Sequence, residues 1–175
     1  MTARRRRVER GAWRVSVMAM MARLKSFLDA SHVPYQLHRH TRAHTATAVA
    51  TADHVPLSEM AKVVLLRGGY RYLMVVLPAS RRLDLARLRD VTEEPDLELA
   101  SESEVEQLFP DCETGAMPPF GNLFGIPVWV DDSLGREAET VFNAGNHRET
   151  VHMAFTDFVR LVKPSFGLLA RPLDA

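Results

Sequence analysis

The apolar positions Leu24, Phe27 and Leu28 recur at helical spacing from Ala22 to about Ala30 and stop before Pro34, which predicts a first amphipathic helix. Alternation over Tyr35 to His40 predicts a short strand. Thr45 then stands as a cap before an alanine-rich helix running to about Asp53, and Pro56 ends that stretch. The clearest hairpin follows: the apolar run Ala61 to Arg67, a turn at Gly68-Gly69, and a return from Tyr70 to Leu77 before Pro78. Leu83, Leu85 and Leu88 mark a helix, and Leu97 to Ala100 a brief strand. Ser101 with Glu104 forms a capping box for a helix ending near Phe109.

Between Gly115 and Gly125 the pattern changes in kind. Three glycines and two prolines surround Met117, Phe120 and Phe124, so this backbone is sharply shaped rather than regular. Strands are predicted at Ile126 to Val130, Glu139 to Asn143 and Glu149 to Ala154. Thr156 is placed to cap a last helix ending before Pro164. Many strands with interspersed short helices, and no repeating strand-helix-strand unit, indicate an α+β fold with a mixed, mostly antiparallel sheet.

Composition narrows the function classes. With 175 residues and 46% hydrophobic content, the chain suits one domain with a sizeable core. The single cysteine, Cys112, can form no internal disulfide, which fits a reducing cytoplasm. No apolar run reaches the roughly 18 residues of a membrane span, and the basic start lacks the apolar region of a secretory signal. The net charge of zero is unevenly spread: six arginines against Glu9 give residues 1–17 a balance of +5, leaving −5 for the remainder. A mildly acidic body argues against a broad electrostatic grip on nucleic acid, so RNA contact is expected to be local. The arginine run reads as a disordered leader, or as translation begun ahead of Met18, Met20 or Met21.

Cys112 has no nucleophile elbow or protease signature around it, and no phosphate-binding glycine fingerprint occurs, so neither thiol catalysis nor a nucleotide cofactor is expected. His32, His38, His40 and His44 are crowded together. His38 and His40 would share a strand face, yet no cysteine or carboxylate spacing completes a tetrahedral site, so solvated histidines and no metal are expected. His147 and His152, five apart, would face opposite sides of one strand. Lys62 begins an apolar run, where an unpaired ammonium is costly; it reads either as a lysine snorkelling from a strand end or as one held by a phosphate, carbonyl or carboxylate.

Three segments together resemble a known family. Ala61-Lys62-Val63-Val64, the loop Gly115-Ala116-Met117-Pro118-Pro119-Phe120-Gly121, and Phe142-Asn143-Ala144-Gly145-Asn146-His147 with His152 beyond it look like the signatures of YbaK-like aminoacyl-tRNA deacylases and the editing domain of bacterial prolyl-tRNA synthetase. The resemblance implies a compact, barrel-like sheet with flanking helices. It divides the chain into a leader over 1–19, an editing domain over 20–166 and a tail over 167–175. It also implies hydrolysis of the ester between a small wrong amino acid, such as alanine or cysteine, and the tRNA 3′ end. Lys62 matches the family's essential lysine, and Gly115 to Pro119 its Gly-x-x-x-Pro loop, with Gly115 the catalytic backbone position. His152 falls where the synthetase domains place a side-chain-sensing histidine, and His44 and Thr45 match the start of a pocket-side helix. Met117, Pro118, Pro119, Phe120, Gly121, Asn143, Ala144 and Gly145 complete the implied substrate site, although Met117 and Phe120 read equally well as core. The implied partners are the aminoacylated tRNA acceptor end and prolyl-tRNA synthetase, with no cofactor or metal. A non-catalytic binding module and a general esterase are the competing readings.

Overall fold

A computed structural model describes residues 22–173. The leader read over 1–19 lies outside them. Helix α1 covers residues 22–30 and buries Leu24 and Leu28 completely, as its periodicity predicts. Strand β1 (Tyr35–Arg39) leads to α2 (Ala46–Ala52), where the Thr45 hydroxyl accepts from Ala48 N. The hairpin of β2 (Ala61–Gly68) and β3 (Arg71–Pro78) is as expected, but its turn lies one residue later. Gly69, at φ +58°, opens the turn, while Gly68 stays in the strand paired with Arg71; a Cβ there would come 2.6 Å from Glu94 Oε2 and 2.9 Å from Leu97 Cδ2.

Strand β4 (Arg81–Leu83) claims Leu83 from the expected helix, and Asp84 caps α3 (Leu85–Thr92). Strand β5 (Glu98–Leu99) precedes α4 (Glu102–Leu108), whose Ser101–Glu104 capping box is fully formed. Strands β6 (Val128–Asp131), β7 (Glu139–Asn143) and β8 (Glu149–Ala154) lead into α5 (Phe155–Val162). Thr156 does not cap α5. Ala154 holds the cap position without a side-chain bond, because Phe155 N is drawn to Ala138 O at 2.9 Å and its ring is buried.

The chain read as a tail is partly built into the fold. β9 (Ser165–Gly167) pairs parallel with β6, β10 (Ala170–Pro172) pairs antiparallel with β4, and Leu169 is fully buried between them. Buried Asp131 accepts from Leu169 N and Ala170 N, each at 2.8 Å, which ties this segment to the end of β6.

The strands form three sheets, ordered β5-β2-β3-β6-β9, β1-β8-β7 and β4-β10, with most pairings antiparallel. They do not close into a barrel. The edges of the two larger sheets meet only at the Met60–Val141 bridge, with Val141 N donating to Glu59 O. The main core lies between these sheets, joined by α1, α5 and the glycine-proline loop. A second apolar cluster covers the opposite face of the five-stranded sheet, and a third lies beneath α2. Among the described residues no helix is long and apolar enough to cross a membrane.

Candidate active site

The glycine-proline loop is shaped by its own backbone and bolted to the segment after β7. Gly115 takes φ +84°, a conformation that side chains resist, and Gly145 takes φ +94°. Gly145 N donates to Ala116 O and Glu113 N to Gly145 O, while the Glu113 carboxylate accepts from His147 N. His147 Nε2 lies 2.9 Å from Thr114 O, and its ring sits 4.5 Å from that of His44. Ala43 N closes the arrangement by donating to His147 O. Thus His44, Thr45 at the start of α2, Gly115 and the Asn143–Gly145 segment, all expected in the site, are brought to one region.

Gly115 is solvent-exposed, and among the described residues its N–H donates to no protein group. The rest of the loop turns inward: Met117, Pro118, Pro119, Phe120 and Gly121 are buried. Phe120 sits in the main core with ring centroids 5.9, 5.4 and 5.7 Å from those of Phe27, Phe142 and Phe158. Gly121 is forced by space. A Cβ there would lie 2.4 Å from Ile126 O and 2.6 Å from Val128 Cγ2, so Gly121→Ala is expected to destabilise the fold by about 1–3 kcal/mol. Urea unfolding checks this; an unchanged midpoint contradicts it.

Lys62 lies on β2 opposite Leu77 and donates to Arg81 O. Alternation separates its side chain from the loop: Ala61 and Leu65 pack into the main core with Met117 and Phe120, whereas Leu77 belongs to the second cluster on the other face. Burial pushes the ammonium below the ordinary lysine value, and no carboxylate offsets this. Lys62 is therefore a half-buried cation that carries one neutral partner.

His152 is also set apart from the loop. It shares the α2-facing side of the three-stranded sheet with His38 and Thr150, and its Nε2 lies 2.6 Å from Asp53 Oδ2. Burial raises the Asp53 carboxyl, but hydrogen bonds from Thr150 and His152 and the charge of His152 outweigh it and hold the group below the usual carboxylate range. Asp53, Glu113 and Thr150 escaped the sequence reading as site residues. His147 was in the reading as the last residue of the Phe142–His147 motif, but with no role assigned. A groove of about 650 Å³ runs along residues 41–52, lined by His44, Thr45, Ala48 and Thr51 among others. Cys112 is inert, its thiol pushed up to about 12 by burial and by Asp111.

The fold and site are those of an α+β domain with a pinned glycine-proline loop whose Gly115 amide is unpaired among the described residues. The family comparison is more specific: residues 40–161 match the aminoacyl-tRNA editing domain, and the chain belongs to that family. The three-motif resemblance and this match agree. Among solved structures, a candidate trans-editing enzyme for prolyl tRNA synthetase is 19% identical with TM-score 0.77, covering 87% of this chain and 97% of that one. A hypothetical protein is 19% identical with TM-score 0.77, covering 85% and 99%. A candidate signal transduction protein from Marinobacter aquaeolei VT8 is 18% identical with TM-score 0.66, covering 84% of this chain and 30% of that one. At these identities the likeness is one of fold. A search among curated proteins found no match.

Proposed function

We propose that this chain is an aminoacyl-tRNA deacylase that hydrolyses the ester of a mischarged tRNA, with alanine or cysteine on the tRNA for proline as the expected substrates. The observation that carries the reading is the unpaired Gly115 amide on a loop held rigid by the 143–147 segment, within a chain of the editing-domain family. Attack of water on the ester carbon forms a carbon–oxygen bond and builds negative charge on the carbonyl oxygen. A preorganised backbone amide stabilises that charge without a nucleophilic side chain. Collapse breaks the bond to the ribose oxygen, which leaves with the proton that the water gives up, passed through the neighbouring ribose hydroxyl. Free amino acid and intact tRNA result.

In this reading Lys62, on the sheet face turned away from the loop, exchanges its bond to Arg81 O for a phosphate of the acceptor end and contributes to binding the tRNA, not to the reacting ester. His44 and Thr45, at the mouth of the groove along α2, contact the substrate. Discrimination by size has a physical need: one methylene in an apolar pocket separates substrates by only about 10- to 200-fold, so a synthetase gains from a second sieve. Docking on prolyl-tRNA synthetase and action in the cytoplasm complete the proposal.

The test is incubation of the full chain with alanyl-, cysteinyl- and prolyl-tRNA for proline, measuring amino acid release. Faster release of alanine or cysteine than of proline is expected. Binding without release would leave a recognition module and overturn the deacylase reading. Turnover of small activated esters with none of the charged tRNAs would replace it with a general esterase.

A further inference from the structure

Three elements far apart in sequence bring two imidazoles and one carboxylate together beneath α2. His38 comes from β1, Asp53 caps the C-terminus of α2, and His152 comes from β8. The register makes this possible: Gln36 pairs with His152 and His38 with Thr150, so all four side chains share the sheet face that α2 covers. His38 Nδ1 lies 3.2 Å from Asp53 Oδ1 and His152 Nε2 2.6 Å from Asp53 Oδ2. One ligand atom from each residue lies within 4.8 Å of the other two. The Asp53 and His152 side chains are only 6% and 11% exposed, while His38, at 40%, leaves a path to solvent.

Counting protons shows what this cluster lacks. His38 Nε2 faces Gln36 Oε1 at 3.2 Å, and Nδ1 faces the Asp53 carboxylate; both neighbours are acceptors, and a neutral imidazole has one N–H. With Nε2–H given to Gln36, the Nδ1 lone pair points at a carboxylate oxygen, and either a second ring proton or a metal ion relieves that opposition. A ring whose second nitrogen donates to a side-chain oxygen is also the usual outer arrangement of a histidine metal ligand. Two imidazoles and a carboxylate suit zinc, whose nitrogen and oxygen bonds of about 2.0–2.2 Å put neighbouring ligand atoms roughly 3.3 Å apart in a tetrahedron. The His38–Asp53 spacing already matches. The His152 contact, made to the other carboxylate oxygen, would open by roughly 0.7 Å.

We propose that His38 Nδ1, an Asp53 oxygen and His152 Nε2 bind one divalent transition-metal ion, zinc being the best match, with water from the His38 side completing the tetrahedron. The site replaces the solvated, metal-free histidines expected from sequence, because Asp53 arrives through the fold and not through spacing. It does not depend on the deacylase reading.

The experiment titrates the chelator-stripped full chain with zinc chloride in a calorimeter, in a Cys112→Ser background that removes the thiol. One ion per chain with micromolar or tighter affinity is expected, together with at least about 100-fold weaker binding in Asp53→Asn and in the His38→Ala, His152→Ala double variant. Cobalt chloride on the otherwise unaltered chain should give the intense visible bands of a tetrahedral site, a readout that survives if a variant fails to fold. Zinc binding equal in the double variant, or no tetrahedral cobalt spectrum, would overturn the proposal and leave a network closed by protons alone.

Discussion

Lys62→Ala is expected to fold normally and to lose about 10- to 100-fold in kcat/KM on mischarged tRNA, the scale of one charge-assisted phosphate contact. The structure separates the two effects. Lys62 donates to a backbone carbonyl, Arg81 O, so its loss alters stability by about 3 kcal/mol at most. Its function would rest on the charge, which no carboxylate neutralises. The pH dependence gives a second readout. Burial lowers the folded-state value below 10.5, so between the two values the unfolded chain binds more protons and stability rises with pH. That rise should be present in wild type and absent from Lys62→Ala in parallel denaturant titrations. Full deacylase activity in a folded Lys62→Ala protein would remove this residue from the mechanism.

The largest effect on stability is expected from Phe120→Ala, at about 3–5 kcal/mol. The ring is completely buried, and Phe27, Phe142 and Phe158 surround it, so truncation leaves a cavity between α1, β7 and α5. For a chain of this length the melting temperature should fall by roughly 6–20 °C. The same variant decides between the two readings of Phe120 open in the sequence. A core residue lowers the melting temperature and leaves amino-acid preference unaltered at low temperature, whereas a pocket-lining residue does the reverse. The ring contacts favour the first outcome.

What the sequence determined is what short-range forces control. Thr45 and the Ser101–Glu104 box cap their helices as read, since each bond spans three residues. The β2–β3 hairpin and the burial of Leu24 and Leu28 likewise follow from local period and turn chemistry. The three motifs pointed to the family that the chain belongs to, and two of them hold a glycine at positive φ, Gly115 and Gly145.

Tertiary structure decided everything that depends on pairing between distant segments. The hairpin turn lies one residue later because Gly68 pairs with Arg71, and Phe155 began α5 early because Ala138 O accepts its N–H. The strand after Gly167 was invisible as a strand, since its short run gains stability only against β4 and Asp131. Lys62 was legible as an awkwardly placed cation, but alternation alone could not name Arg81 O as its partner or separate its face from that of the loop. The meeting of His38, Asp53 and His152 needs both the β1–β8 register and the seat of α2 on that sheet. Spacing along a chain carries no information about such a meeting, because it is set by which faces bury one another once the core has closed.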